Sequence, residues 1–429
     1  MALRFGSERI AIETAMKRLL MIAYHFPPLA GSSGIQRTLR FAQQLPELGW
    51  EPLVLTADAR AYERTSDDLL DEVPSGLVVK RAFALDTARQ LSVGGRYFGR
   101  LARPDRWMTW RFGAVRAGLA LIRRHAPHAL WSTYPIATAH VIGHALARRS
   151  QLPWIADFRD PMAQEGYPAD PAIWRSFKEI ETEAVVGARF STFTTPGAAR
   201  EYRRRYPQAA NRIRVLENGF DEESFAGASP ESGREPLVPG AITLLHSGVV
   251  YPSERDPTQF FMAIAKVAEA RQVRVGEFVV RFRAAGHDDL LRALAQRYGI
   301  ESFIELVPPI PYRAALAEML RADALLVLQA ANCNEQIPAK LYEYLRAGRP
   351  IVTLTDPVGD TAGVMRAAGL DTIARLDDVE DIVALLLRFI PSVRAGEGQL
   401  PTAAYVASTS RRGRSRELAA LLDAAASPA

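Results

Sequence analysis

The sequence predicts an α/β protein made of two doubly wound parallel domains that face each other across a cleft. Three observations predict it. A chain of 429 residues is too long for one ordinary core, so two domains are expected. Short apolar runs alternate with helical patterns along the chain, which argues for parallel sheets built from right-handed crossovers. The alternation breaks at 221–240, where Gly227, Ser229, Pro230, Ser232, Gly233, Pro236, Pro239 and Gly240 give the composition of a linker.

Residues 1–16 read as an extension. Arg4, Glu8, Arg9 and Glu13 leave no apolar stretch for a signal peptide, and Met16-Lys17-Arg18 leads into Leu19-Leu-Met-Ile-Ala-Tyr24, the first core strand. Further strands are expected at 51–56, 77–81, 129–132, 154–157, 190–194 and 213–216, with helices near 34–46, 107–125, 135–150, 171–188 and 197–205. These make a first domain over 17–220. After the linker, strands at 242–246, 278–284, 303–306, 324–328 and 351–354 alternate with helices at 256–271, 288–298, 312–321, 339–347, 360–368 and 378–390. They make a second domain over 241–395. The tail, 396–429, carries Arg411, Arg412, Arg414 and Arg416 before Leu418-Ala-Ala-Leu-Leu422 and reads as a final helix.

The apolar fraction of 48% and charged fraction of 24% are those of a soluble globular protein. The single cysteine, Cys333, excludes an intrachain disulfide and points to a reducing compartment. No apolar run approaches the ~18 residues that span a bilayer, so a cytoplasmic location is expected. The net charge of +5 is modest but unevenly spread. Arg89, Arg96, Arg100, Arg103, Arg106, Arg111, Arg116, Arg123 and Arg124 fall within 89–124, with Asp105 the only acid there. Tyr97, Phe98, Trp107, Trp110 and Phe112 are interleaved with them. Such a stretch suits an anionic membrane surface or a lipid phosphate, with peripheral attachment at the inner face of a membrane. The alternative is a solvated helical face whose aromatics pack inward. No nucleic-acid-binding signature accompanies the stretch, and nucleic acid is not an expected partner.

The most informative segment is Glu335-Gln-Ile-Pro-Ala-Lys-Leu-Tyr-Glu343. It follows the apolar run Ala324-Leu-Leu-Val-Leu328, so Glu335 falls in a strand-to-helix loop and Glu343 about one turn into the next helix. Carboxylates there can accept hydrogen bonds from ligand hydroxyls at the carboxyl ends of parallel strands, where open α/β sheets bind ligands. Lys340, between them, is either a salt bridge on the helix face with Glu343 or a partner for a diphosphate.

Two glycine-bearing loops follow strands that open the two halves. After the first come Gly31 and Gly34, the latter at the start of a helix whose free N–H groups make an anion site. The spacing is not that of a dinucleotide fingerprint. After the second come Ser247 and Gly248, then Arg255, which either receives phosphates or pairs with Glu254 or Asp256. Asp157, Arg159 and Asp160 lie at another strand end before Pro161, suited to a polar acceptor or to an internal Arg–Asp pair. Asn218-Gly219 is a turn signal. The seven histidines show no metal spacing, and no nucleophile elbow or P-loop appears, so no metal is expected.

Taken together these residues resemble the GT-B glycosyltransferases of family 4, over roughly 17–395. Four motifs carry the resemblance: Phe26-Pro-Pro with Gly31-Ser-Ser-Gly-Ile-Gln-Arg37, Asp157-Phe-Arg-Asp-Pro161, Asn218-Gly-Phe-Asp221, and the glutamate pair. The resemblance implies two Rossmann-like domains with a C-terminal helix crossing back to the first. It implies an N-terminal acceptor domain and a C-terminal nucleotide-sugar domain. It also implies a hexosyltransferase-type reaction that retains configuration and needs no metal or other cofactor. The substrates would be a UDP- or GDP-sugar donor and a polysaccharide or lipid-linked saccharide acceptor. By the same resemblance Glu343 addresses the ribose and Glu335 the transferred sugar, while Arg255 and Lys340 meet the charge on the departing diphosphate. Gly31, Gly34, Ser247, Gly248, Ile337 and Leu341 join the donor-binding set, and Pro309 and Ile310 touch the base. Asp157, Arg159 and Asp160 face the acceptor, with Asp160 a catalytic candidate.

Two departures matter. Many members have an arginine directly after the loop glycine, where this chain has Val249. Many also have a histidine near the acceptor, where this chain reads Ser132-Thr-Tyr-Pro135. Two other functions remain open at this point: a nucleotide-sugar epimerase of the same fold, and a catalytically silent scaffold.

Overall fold

The computed structural model describes residues 16–32, 34–92, 94, 96, 97, 99–228 and 235–427. Residues 1–15 of the expected extension 1–16, Ser33, Val93, Gly95, Phe98, the side chains of Arg100 and Leu101, linker residues 229–234 and tail residues 428 and 429 lie outside the described residues. The strands are β1 (Lys17–Ile22), β2 (Trp50–Ala57), β3 (Val78–Ala82), β4 (Ala129–Thr133), β5 (Trp154–Arg159), β6 (Phe190–Phe193) and β7 (Ile213–Val215). After them come β8 (Ile242–Ser247), β9 (Phe278–Arg283), β10 (Ile304–Val307), β11 (Ala324–Gln329), β12 (Ile351–Thr355) and β13 (Ile373–Ala374). They form two sheets, ordered β3-β2-β1-β4-β5-β6-β7 and β10-β9-β8-β11-β12-β13. The described pairings are parallel, as the alternation of strand and helix requires.

The chain forms two compact units: residues up to 156 with 166–189 and those from 419, and residues 157–165 with 190–418. In the first unit, β1 lies between β2 and β4, so the strand order reverses beside it. Leu19, Leu20, Met21 and Ile22 are fully buried, as a central strand covered on both faces must be. The helices Trp110–His125 and Ala137–Ser150 approach closely at Gly118, where a Cβ would meet the Leu146 side chain at 2.6 Å. The C-terminal helix Arg411–Ala426 ends in this unit. There Asp423 accepts from Lys17 Nζ at 2.8 Å and from Trp50 Nε1 at 3.1 Å.

In the second unit the run at 324–328 explains itself. Every residue of β11 is buried, and successive side chains point to opposite faces. Leu326 and Leu328 join Phe260, Phe261, Phe282 and Leu385 in one core layer. Leu325 and Val327 join Leu341, Tyr344, Leu345 and Met365 in the other. Several short elements were not legible in the sequence, a strand and a helix of this unit among them. The strand β13 has only two residues, too short for any periodicity. The stretch with linker composition begins as a one-turn helix, Glu222–Ala226. Asp221 caps that helix, and Phe225 is buried against Phe220 with ring centroids 6.3 Å apart.

Gly219 also differs from a simple turn glycine. Phe220 pairs with Ser410, and the Arg411 N–H donates to the Phe220 carbonyl at 2.8 Å. A Cβ on Gly219 would lie 2.5 Å from the Thr409 carbonyl oxygen. Gly219→Ala is therefore expected to cost roughly 2–3 kcal/mol, read as a lowered melting temperature in calorimetry. An unchanged melting temperature would show that this contact relaxes freely.

Candidate functional site

The six-stranded sheet runs outward from β8 to β9 and β10 on one side, and from β11 to β12 and β13 on the other. The order reverses between β8 and β11, and in such sheets the crevice beyond the carboxyl ends of those strands is the ligand site. The β8–β11 ladder pairs Ala324 with Leu244 and Leu325 with Leu245. One residue further, the buried His246 ring takes over, and its Nδ1 lies 3.0 Å from the Leu326 carbonyl oxygen. A carbonyl only accepts, so Nδ1 carries the proton and Nε2 presents a lone pair.

Lys340 Nζ donates to that lone pair at 3.1 Å. The lysine is the first residue of the helix Lys340–Ala347, and its side chain runs over Gly248. A Cβ at Gly248 would lie 3.1 Å from Nζ, and φ there is +113°, so only glycine serves. Burial, then the nearby Arg255 charge, pushes the Lys340 ammonium down to about 7, against the pull of Glu343. Burial and the Lys340 charge hold His246 well below the usual histidine range. Among the described residues Lys340 makes no ion pair, so the helix-face salt bridge with Glu343 does not form.

Arg255 sits in the loop after β8. Its guanidinium donates to the Val249 carbonyl at 2.6 Å and stacks on Tyr251 at 5.2 Å. It pairs with neither Glu254 nor Asp256; Asp256 accepts from the Thr258 N–H and hydroxyl instead. The loop is tied to the end of β11 by the Ala330 N–H on the Glu254 carbonyl at 2.7 Å and by Asn332 Nδ2 on the Ser253 carbonyl at 2.9 Å. Ser247 is fixed by its N–H on the Tyr344 hydroxyl at 2.8 Å. Two basic side chains, without carboxylate partners among the described residues, thus stand beside a glycine at a sheet switch point. Such an arrangement can attract an anion.

The two glutamates differ. Glu343 Oε1 accepts from the Tyr312 hydroxyl at 2.7 Å. Burial raises its carboxyl pKa, against that hydrogen bond and the charges of Arg411 and Lys340. Glu335 is exposed, and its carboxylate makes no hydrogen bond or ion pair among the described residues. Its backbone is held firmly. The Thr195 hydroxyl donates to the Glu335 carbonyl at 2.7 Å, the Asp360 N–H to the Asn334 carbonyl at 2.8 Å, and the Thr361 hydroxyl to the Gln336 carbonyl at 3.0 Å. Gly197, in the helix Pro196–Arg205, makes room for the glutamate, since a Cβ there would lie 2.8 Å from Glu335 Cβ and Cγ.

The other expected site residues fall as follows. Ile337 and Leu341 are core side chains, which leaves only their backbone for a ligand. Pro309 lines a cavity of about 410 Å³ with Gly286, His287 and Asp288, while Ile310 is not among its walls. Asp157 is buried and accepts from the Thr192 hydroxyl at 2.7 Å. Arg159 has φ +62°, and its carbonyl accepts from Thr194. Asp160 is exposed, and its carboxylate makes no hydrogen bond or ion pair among the described residues. Gly31, with φ +81°, and Gly34 belong to the first unit, where the Ser32 hydroxyl accepts from the Gly34 N–H at 3.3 Å.

The arginine-rich stretch divides. Arg89 donates to the Tyr62 carbonyl, and Arg106 pairs with Asp86 and Glu63. Trp110 is fully buried, and Trp107 bonds the Ala61 carbonyl. Arg111, Arg116 and Arg123 instead line an open cavity of about 500 Å³ beside Phe112, which is 72% exposed.

Three site residues were missed in the sequence. His246 was one of seven scattered histidines, yet its place one residue before the end of an apolar strand was a signal. Tyr312 and Gly197 gave no local signal.

Two doubly wound sheets, with this crevice beside β8, define a GT-B fold. Residues 33–219 match the family model of the glycosyl transferase 4-like domain. Solved structures of the same fold include HepE from Anabaena in complex with UDP and glucose, at 14% identity and TM-score 0.63, covering 95% of this chain and 100% of that one. Sucrose-phosphate synthase from Thermosynechococcus elongatus is similar at 14% identity and TM-score 0.57, with 96% of each chain covered. A putative UDP-N-acetylglucosamine 2-epimerase from Listeria monocytogenes is similar at 13% identity and TM-score 0.55, covering 95% of this chain and 96% of that one. No curated protein sequence matches the chain.

Proposed function

We propose that the chain transfers a hexose from a nucleotide-sugar donor, a UDP- or GDP-sugar, to a polysaccharide or lipid-linked saccharide acceptor. Transfer proceeds with retention and without a metal. The observation that carries the reading is a pair of basic side chains beside Gly248, Lys340 and Arg255, neither paired with a carboxylate among the described residues. They suit a diphosphate whose negative charge grows as the glycosidic bond breaks. Glu343 and the free carboxylate of Glu335 supply acceptors for the ribose and the sugar. Asp157, Arg159 and Asp160 are assigned to the acceptor, with Asp160 the catalytic candidate. HepE, with UDP and glucose bound on the same fold, supports a uridine donor.

No described helix is long and apolar enough to cross a membrane. The proposal places the protein in the cytoplasm, with Arg111, Arg116, Arg123 and Phe112 meeting an anionic membrane surface at its inner face.

The experiment is a thermal-shift screen of nucleotide sugars, followed by calorimetry of Glu343→Ala against the best donor. Loss of two ribose hydrogen bonds to a carboxylate predicts roughly tenfold weaker binding or more. Unchanged affinity would sink the assignment of Glu343. The Listeria structure keeps an epimerase in view. An isomer formed without any acceptor would favour that reading.

A further inference from the structure

We propose that His246 is a positioning residue for Lys340. The buried imidazole, locked with its proton on Nδ1, holds the lysine head over Gly248 until a diphosphate takes it over. This inference rests on the nucleotide-sugar reading above.

The geometry leaves His246 one role. Nδ1 is committed to the Leu326 carbonyl at 3.0 Å, so the ring cannot turn without leaving that carbonyl unpaired. Nε2 meets Lys340 Nζ at 3.1 Å. His246 is wholly buried, so it does not reach bulk solvent itself. A carboxylate at this place would bind the ammonium tightly and compete with the diphosphate. A neutral acceptor orients the lysine and leaves its charge available. The groups facing Lys340 are His246, Arg255 and Glu343. Burial and the Arg255 charge push the lysine down to about 7 in the free site. An incoming diphosphate brings negative charge, which favours the ammonium. Binding above about pH 7 therefore takes up a proton, and affinity falls as pH rises through that range.

The test uses the full chain, with UDP, GDP and the corresponding nucleosides as probes in calorimetry. His246→Asn keeps a donor for Leu326 and removes the acceptor for Lys340. His246→Gln places an amide oxygen where Nε2 stood. Expected is about tenfold weaker binding of the preferred nucleoside diphosphate to His246→Asn, unchanged binding of its nucleoside, and recovery of most of the loss in His246→Gln. Proton uptake, read by repeating the titration in buffers of different ionisation enthalpy, should be present in the wild type and absent in Lys340→Met. If wild-type protein binds neither diphosphate, the nucleotide-sugar reading fails. If it binds one and His246→Asn binds it equally well, or loses diphosphate and nucleoside affinity alike, His246 is a core residue only and the inference is overturned.

Discussion

Lys340→Met will lower kcat/KM for sugar transfer by about 10²–10³ and raise the melting temperature. The first effect follows from the proposed function, in which the lysine meets the charge of the leaving group. A preorganised cation in a half-buried site contributes more in the transition state, where the diphosphate charge is larger, than in the ground state. The loss should therefore appear in kcat as well as in KM. The second effect has the opposite sign because the free protein gains nothing from this charge. Among the described residues Lys340 pairs with no carboxylate, shares its surroundings with Arg255 and Glu343, and donates to a neutral imidazole. Its folded pKa of about 7 lies below the ordinary lysine value of 10.5. Between those values the unfolded chain binds the proton and the folded chain does not, so stability rises with pH across that window. Methionine removes this dependence and keeps the length of the side chain. Steady-state kinetics and calorimetric melting between about pH 7 and 10 read both effects. Wild-type kcat/KM in Lys340→Met would remove the lysine from the mechanism. A lowered melting temperature would show that its contacts outweigh its unpaired charge.

How much of this was legible depends on how local each feature is. Glu335, Lys340 and Glu343 fall within nine residues, and the apolar run before them marks a strand buried on both faces. Spacing alone places them at the carboxyl end of that strand. The partner of Lys340 lies 94 residues away, and nothing in either segment names the other. The sequence offered Glu343 as that partner because helical neighbours are the pairs that spacing reveals, yet the glutamate bonds Tyr312 instead. The linker composition at 221–240 concealed a helix for a related reason. Gly and Pro counts average over a stretch, whereas one buried aromatic, Phe225, decides where its first turn packs.

Gly197→Ala separates local propensity from tertiary packing most sharply. In an exposed helix interior the change would stabilise by about 1 kcal/mol. Gly197 is the second residue of the helix Pro196–Arg205, capped by the Thr195 hydroxyl on the Ala198 N–H. Its own N–H donates to Asp360 Oδ2 at 2.5 Å, and Arg200 reaches the other oxygen of that carboxylate at 3.2 Å. A methyl group would sit 2.7 Å from Asp360 Oδ2 and 2.8 Å from Glu335 Cβ and Cγ. All three distances lie well inside van der Waals contact, so the loop must yield. The Thr195 hydroxyl holds the Glu335 backbone, and the Asp360 N–H holds Asn334, so the shift carries the glutamate with it. A displacement of about 1 Å at a group that orients a substrate costs on the order of 10²-fold in rate. Gly197→Ala should therefore lose transfer activity of that order with a net stability change of at most about 2 kcal/mol in either direction, as steric strain offsets helix propensity. Binding of the nucleoside diphosphate without its sugar should stay close to wild type, because the atoms nearest a Cβ on Gly197 belong to Asp360 and Glu335, not to Lys340, His246 or Arg255. Full activity in the alanine variant would mean that Glu335 tolerates displacement and does not orient the sugar.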